Sequence, residues 1–175
     1  MATHRFVHPF RLSYFLISII VFISSSCTYQ GNDYIFKAPF GFKTKQFQTA
    51  VNQNIEPGLL IFSQKGRLYF EIFRNNIPEG SNLDTEFNTY KDQQKSPSHY
   101  QFISQKSTEI NQSPAIEYIF REFRGEPYVQ VREIWIEHNG WAYSLKCTNP
   151  ADSTTGKEIP VSELCYQLVD NVQFK

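Results

Sequence analysis

The chain has no surplus of charge: seventeen Lys and Arg stand against seventeen Asp and Glu in 175 residues. Arg5 and Arg11 are the only charged side chains of residues 1–26, leaving 15 basic and 17 acidic groups beyond them. That balance predicts neither a basic field for nucleic acid nor a polybasic patch for a membrane. Histidine is scarce, with only His99 and His138 beyond the first eight residues. His138 follows Glu137, but neighbours on a strand point to opposite faces and form no dyad. A closed metal site needs three or four convergent ligands, which His138 and a cross-strand carboxylate do not supply. Gly-x-Ser-x-Gly, phosphate-loop and His-Glu-x-x-His motifs are missing. Serines and acids are many, yet none has the spacing of an activated nucleophile. The expectation is a protein without catalytic residues, metal or cofactor. Repeats and low-complexity tracts are also missing, and no apolar run reaches the roughly 20 residues of a membrane-spanning helix.

What is present begins with a leader. Residues 1–11 are cationic, Leu12 to Ser24 is apolar, and Ser24-Ser25-Ser26-Cys27 follows. This is the layout of an export signal. A small residue before a Cys at the end of such a signal resembles the lipobox of bacterial lipoproteins. The resemblance implies that Cys27 is lipidated and becomes the mature N-terminus. Cleavage at the serines to a soluble exported protein, or an uncleaved anchor, are the other readings. The expected division is a signal peptide over 1–26, a lipidated tether over 27–33 and one domain over 34–175. The address is the bacterial cell envelope, with Thr28 after the Cys compatible, by resemblance, with outer-membrane sorting.

Aromatic residues make up 16% of the chain, which favours pleated, half-buried surfaces. Asn139-Gly140 lies between two β-rich runs, the signature of a two-residue hairpin. The implied register sets His138 opposite Trp141, Ile136 opposite Tyr143, Ile134 opposite Leu145 and Arg132 opposite Cys147. One face then carries Ile134, Ile136, Tyr143, Leu145 and Cys147, and the other Trp135, Glu137, Ala142, Ser144 and Lys146. Val161, Leu164, Cys165, Leu168 and Val172 form the stripe of a helix starting near Pro160. Cys147 and Cys165 therefore both face the layer between hairpin and last helix. Three cysteines leave one odd residue in an exported chain; with Cys27 lipidated, the remainder is an even pair. A Cys147–Cys165 disulfide is expected, the alternative being two reduced thiols packed as small apolar groups.

The remaining elements follow in order. Tyr34–Phe36 and Gly41–Lys43 are short strands, and Gln46–Pro57 is loop. Leu59–Ser63 and Arg67–Arg74 form a hairpin across a three-residue Gln64-Lys65-Gly66 loop. That register groups Leu60, Phe62, Leu68, Phe70 and Ile72 on one face, in strands read as the middle of the sheet. Ser81 with Asp84 resembles a capping box for a helix over 82–95. His99–Thr108 is a strand, Glu109–Ser113 a turn, and Ala115–Arg124 a strand with Ile116, Tyr118 and Phe120 on one side. The fold class is α+β, a single antiparallel β-sheet with helices packed on its faces. Trp135, Trp141 and Tyr128 are expected mostly in the core, any exposed aromatics forming a partner patch.

Three runs, TEINQSPAIEY (108–118), EIWIEHNGWAYSLKCT (133–148) and VDNVQF (169–174), resemble the PsbP-like group. Its members include PsbP-type photosystem II extrinsic proteins, the bacterial envelope lipoprotein DcrB and a eukaryotic Ran-binding import factor. The resemblance implies an α/β/α sandwich that docks or assembles partner proteins without a common catalytic site. It points to a lipid-anchored envelope protein that binds a protein partner, and the near-neutral charge with regular amphipathic elements leads to the expectation of a monomer. The alternatives are a small-ligand binder with an aromatic pocket and, in a phototroph, a photosystem II accessory protein.

Overall fold

A computed structural model describes residues 28–47, 58–63, 68–93, 100–123, 129–148 and 161–175. Its elements are β1 (Thr28–Gln30), β2 (Tyr34–Lys37), β3 (Phe42–Phe47), β4 (Gly58–Ser63), β5 (Tyr69–Asn76), α1 (Leu83–Gln93), β6 (Tyr100–Ile110), β7 (Ser113–Glu122), β8 (Val129–His138), β9 (Trp141–Thr148), α2 (Glu163–Asp170) and β10 (Val172–Phe174). The expected single sheet is in fact two. A seven-stranded antiparallel sheet runs β3-β4-β5-β9-β8-β7-β6, and a three-stranded one runs β1-β2-β10. Strands of three or four residues, far apart in the sequence, carry no periodicity of their own, and their pairing makes the second sheet.

The β8–β9 hairpin has the expected register from His138–Trp141 to Arg132–Cys147. Asn139 and Gly140 both take positive φ, +51° and +75°, so the turn's twist matches that of its strands. On the face shared by Ile134, Ile136, Tyr143 and Leu145, a core forms with Leu59, Ile61, Phe70, Ile72, α2 and the small sheet. On the other face Trp135 and Ala142 join Ile116, Tyr118, Phe120 and Val131 beneath Leu83 and Phe87 of α1. The large sheet thus lies between α1 and a layer built from α2 and the small sheet. Phe87 is fully buried, edge-on to Tyr118 and Trp135. Burial of a side chain of that size stabilises by about 2 kcal/mol.

Several local expectations are corrected. In β4–β5 Phe62 faces Tyr69 and Ile61 faces Phe70, one residue out of the expected register. Ser63 donates its N–H to Leu68, so the loop spans four residues and not three. Such a slip turns one strand over: Leu59, Ile61, Phe70 and Ile72 share the buried face. β9, not this pair, is the central strand. β3 runs on to Phe47, because alternating Lys43 and Lys45 suit a sheet edge. Asn82, not Ser81, caps α1: its Oδ1 accepts the Thr85 N–H at 2.9 Å, while the Ser81 hydroxyl donates to Glu86. The 109–113 turn narrows to Asn111-Gln112, both at positive φ. α2 begins at Glu163, and Val172 lies in β10, still fully buried. Finally, residues 28–33 are not a loose tether: β1 pairs with β2, and Asp33 bonds Arg74 and Tyr143.

Candidate functional site

Cys147 and Cys165 form a disulfide with α-carbons 5.7 Å apart. It links the central strand β9 to α2, where register and helical spacing place both sulfurs in the layer between them. Both cysteines are buried.

Glu133 has no place in the sequence-based set of candidates. It stands in phase with Val131 and Trp135 on β8, so its side chain enters the core beneath α1. An acid in the phase of buried neighbours was the signal available in the sequence. Glu133 is fully buried, accepts the Tyr90 hydroxyl at 3.0 Å, and accepts a short bond from the Ser144 hydroxyl. Burial pushes its carboxyl above the ordinary value of 4.5, against the pull of Lys146 directly opposite on β9 and of the two hydroxyls. Burial, then the nearby Glu133 charge, also pushes the Tyr90 and Tyr118 hydroxyls up. The group can hold a proton inside the α1 layer. Its surroundings are aromatic: the Tyr90 ring lies 4.9 Å from Trp135.

A second buried carboxylate lies on the α2 side. Glu117 accepts Arg132 Nε at 2.6 Å and Lys106 Nζ at 2.7 Å. Burial alone would raise this carboxyl, but the bonds from Lys106 and Arg132 outweigh it and hold it below 4.5. The Arg132 guanidinium also lies 3.9 Å over the Tyr166 ring of α2, so the ion pair anchors the helix.

His138 is more than a solvated turn residue. Its Nε2 donates to the Lys175 backbone oxygen at 2.8 Å, and its ring packs 4.9 Å from Phe174. That engagement ties the β8–β9 turn to the end of β10, and Glu137 beside it is exposed. Asp33 Oδ2 accepts both Arg74 Nη1 and the Tyr143 hydroxyl at 2.7 Å. Trp135 is core, whereas Trp141 is partly buried beneath Arg74, whose guanidinium lies 4.2 Å from its ring. Cys27, His99 and Tyr128 lie outside the described residues.

Among the described residues no group of three His, Cys, Asp or Glu is placed to hold a metal, and no helix is long and apolar enough to cross a membrane. An open cleft of about 540 Å³ lies between the start of α1 and the hairpin tips, lined by Asn82, Asp84, Thr108, Glu137 and His138 among others. A smaller one of about 330 Å³ runs along α1 past Tyr90 and Trp135. Apolar side chains reach solvent elsewhere. Phe102 is 54% and Ile103 37% exposed at the β-bulge of edge strand β6.

No family model matches the chain, and no curated protein matches it in sequence. Among solved structures, the chain is similar to the cyanobacterial PsbP (CyanoP) of Synechocystis sp. PCC 6803, with 13% identity and a TM-score of 0.63. The match covers 89% of this chain and 95% of that one. A Pseudomonas aeruginosa protein of unknown function (PA94) overlaps less closely. It has 10% identity and a TM-score of 0.40 over 71% of this chain and 82% of that one. The first likeness shows that the chain has a PsbP-like fold.

Proposed function

We propose that this is a non-enzymatic bacterial envelope protein, held to a membrane by a lipid on Cys27, whose domain docks a partner protein. The observation that carries the docking is the pair Phe102 and Ile103, exposed at a bulge of β6, which is an edge strand among the described residues. The bulge interrupts the ladder locally, so at this point side chains and not backbone groups are what a partner would meet. Small-ligand binding would need a cavity walled by aromatics with a few convergent polar groups. The two clefts are open, and the larger has no Phe, Tyr or Trp in its wall, so docking is the reading favoured.

The anchor is tested by metabolic labelling with a tagged fatty acid. Label on the wild type and none on Cys27→Ala is expected, and equal label on both would sink the anchor. Docking is tested with a photo-crosslinking phenylalanine at position 102 and, as control, at Glu163 on α2. One specific adduct at 102 is expected, with recovery of the same protein falling in a Phe102→Ser, Ile103→Ser variant. Equal adducts at both positions, or recovery unchanged in the variant, would count against it.

A further inference from the structure

We propose that the end of the molecule where β1 begins is a bilayer-contacting surface. It takes anionic lipid headgroups, with Phe40 inserted and Lys37, Lys43 and Lys45 facing the phosphates. This rests on the membrane attachment proposed above.

Phe40 is 81% exposed, although it follows Ala38, which is fully buried. It is presented by a built turn: the Phe42 N–H donates to Pro39 O at 3.1 Å, and Gly41 takes φ +84°, where a side chain would be strained. An apolar ring is thus held in water by ordered backbone on both sides.

Along the chain on both sides of it the charge has one sign. Residues 34–47 contain Lys37, Lys43 and Lys45 and no acid, and all three lysines are exposed. The chain's overall balance conceals this local excess. Lys43 lies opposite Phe62, and Phe62 opposite Tyr69, itself 38% exposed. Opposed residues share a face, so lysine and aromatic side chains form one row at this end of the sheet. Lys45 lies two residues along on the same face, opposite Leu60, with Glu71 beyond; Glu71 has Lys146 directly across from it. Aromatic rings at the acyl boundary with lysines reaching phosphate are the chemistry of an interfacial surface.

The direction of the chain selects a bilayer over another anionic partner. Thr28 pairs with Lys37 and β1 is antiparallel to β2, so β1 starts where β2 ends. Cys27 and the apolar segment 12–24 precede it directly in sequence. Anything that holds that segment at a membrane brings Lys37 and Phe40 to the same surface.

The test uses the full chain reconstituted into vesicles, with a spin label on Phe40→Cys and, separately, on Asp84→Cys at the start of α1. One set of vesicles is phosphatidylcholine alone; the other is equal parts phosphatidylcholine and phosphatidylglycerol. The label at 40 should be reached by oxygen and shielded from a water-soluble nickel relaxant in the anionic vesicles, while that at 84 stays in water. Changing Lys37, Lys43 and Lys45 to Gln should lower the inserted fraction at least roughly tenfold. A label at 40 that stays in water in both lipids would overturn the proposal. Equal insertion in both lipids, unaffected by the lysine changes, would overturn the headgroup assignment, and shielding by an added protein alone would mark a protein-docking site instead. Repeating this in a Cys27→Ala chain that keeps its leader separates the two ideas. Insertion there would leave the surface standing with the lipid anchor unneeded.

Discussion

The Tyr90 hydroxyl on α1 donates to the Glu133 carboxyl on β8 across 3.0 Å, inside the layer that holds the helix to the sheet. Burial raises Glu133 above 4.5. Between the two values the native state keeps a proton that the unfolded chain has released, so Glu133's contribution to stability is full below the ordinary value and declines as pH rises toward the folded one. Glu133→Gln, which keeps one acceptor oxygen, presents an NH2 to the other hydroxyl's oxygen and removes the charge, should abolish that decline and raise the melting temperature at neutral and alkaline pH. The acid limb should remain, because Glu117 is held below 4.5 and stabilises only while ionised. Melting curves across pH for the two proteins check this; parallel profiles would refute it.

Reducing the Cys147–Cys165 bond, or replacing Cys165 by Ala, should lower the unfolding free energy by about 3 kcal/mol. Denaturant titration with and without reductant measures it. Two thiols titrated in denaturant without reductant would show that the bridge is missing in solution.

Gln112 sits at φ +68° in the β6–β7 turn, where a residue with a side chain is strained. Gln112→Gly should therefore stabilise by about 1 kcal/mol, net of the unfolded-state entropy that glycine adds. An unchanged or lower denaturant midpoint would refute it.

Arg132→Met should cost about 3 kcal/mol, because it leaves buried Glu117 with Lys106 as its remaining cation partner and strips the cover from Tyr166. Adding Glu117→Gln to that variant should recover part of the loss. A double variant no more stable than the single one would refute the account.

How far the sequence was legible depended on how local the information was. The β8–β9 register followed from a dipeptide whose positive φ admits one turn, and the disulfide followed from that register plus helical spacing. The β4–β5 register did not, because Gly66 suited a three-residue loop while Leu68 pairs as if the loop held four. The small sheet was invisible, since Phe36 meets Val172 through backbone pairing that has no short-range sign. Glu133 was overlooked because an acid in a strand reads as a solvent face, and only α1 closing over β8 makes it interior. The acid-free run that carries Lys37, Lys43 and Lys45 was averaged away in the total charge.

β2 takes its two neighbours from opposite ends of the chain, β1 just before it and β10 in the last residues. Val172 and Phe174 are separated from Phe36 by nearly the whole described chain, so until β10 arrives Phe36 has hydrogen-bonded company on one side alone. Closing so long a loop carries a high entropic cost, so the small sheet latches late, after local hairpins such as β8–β9 have formed.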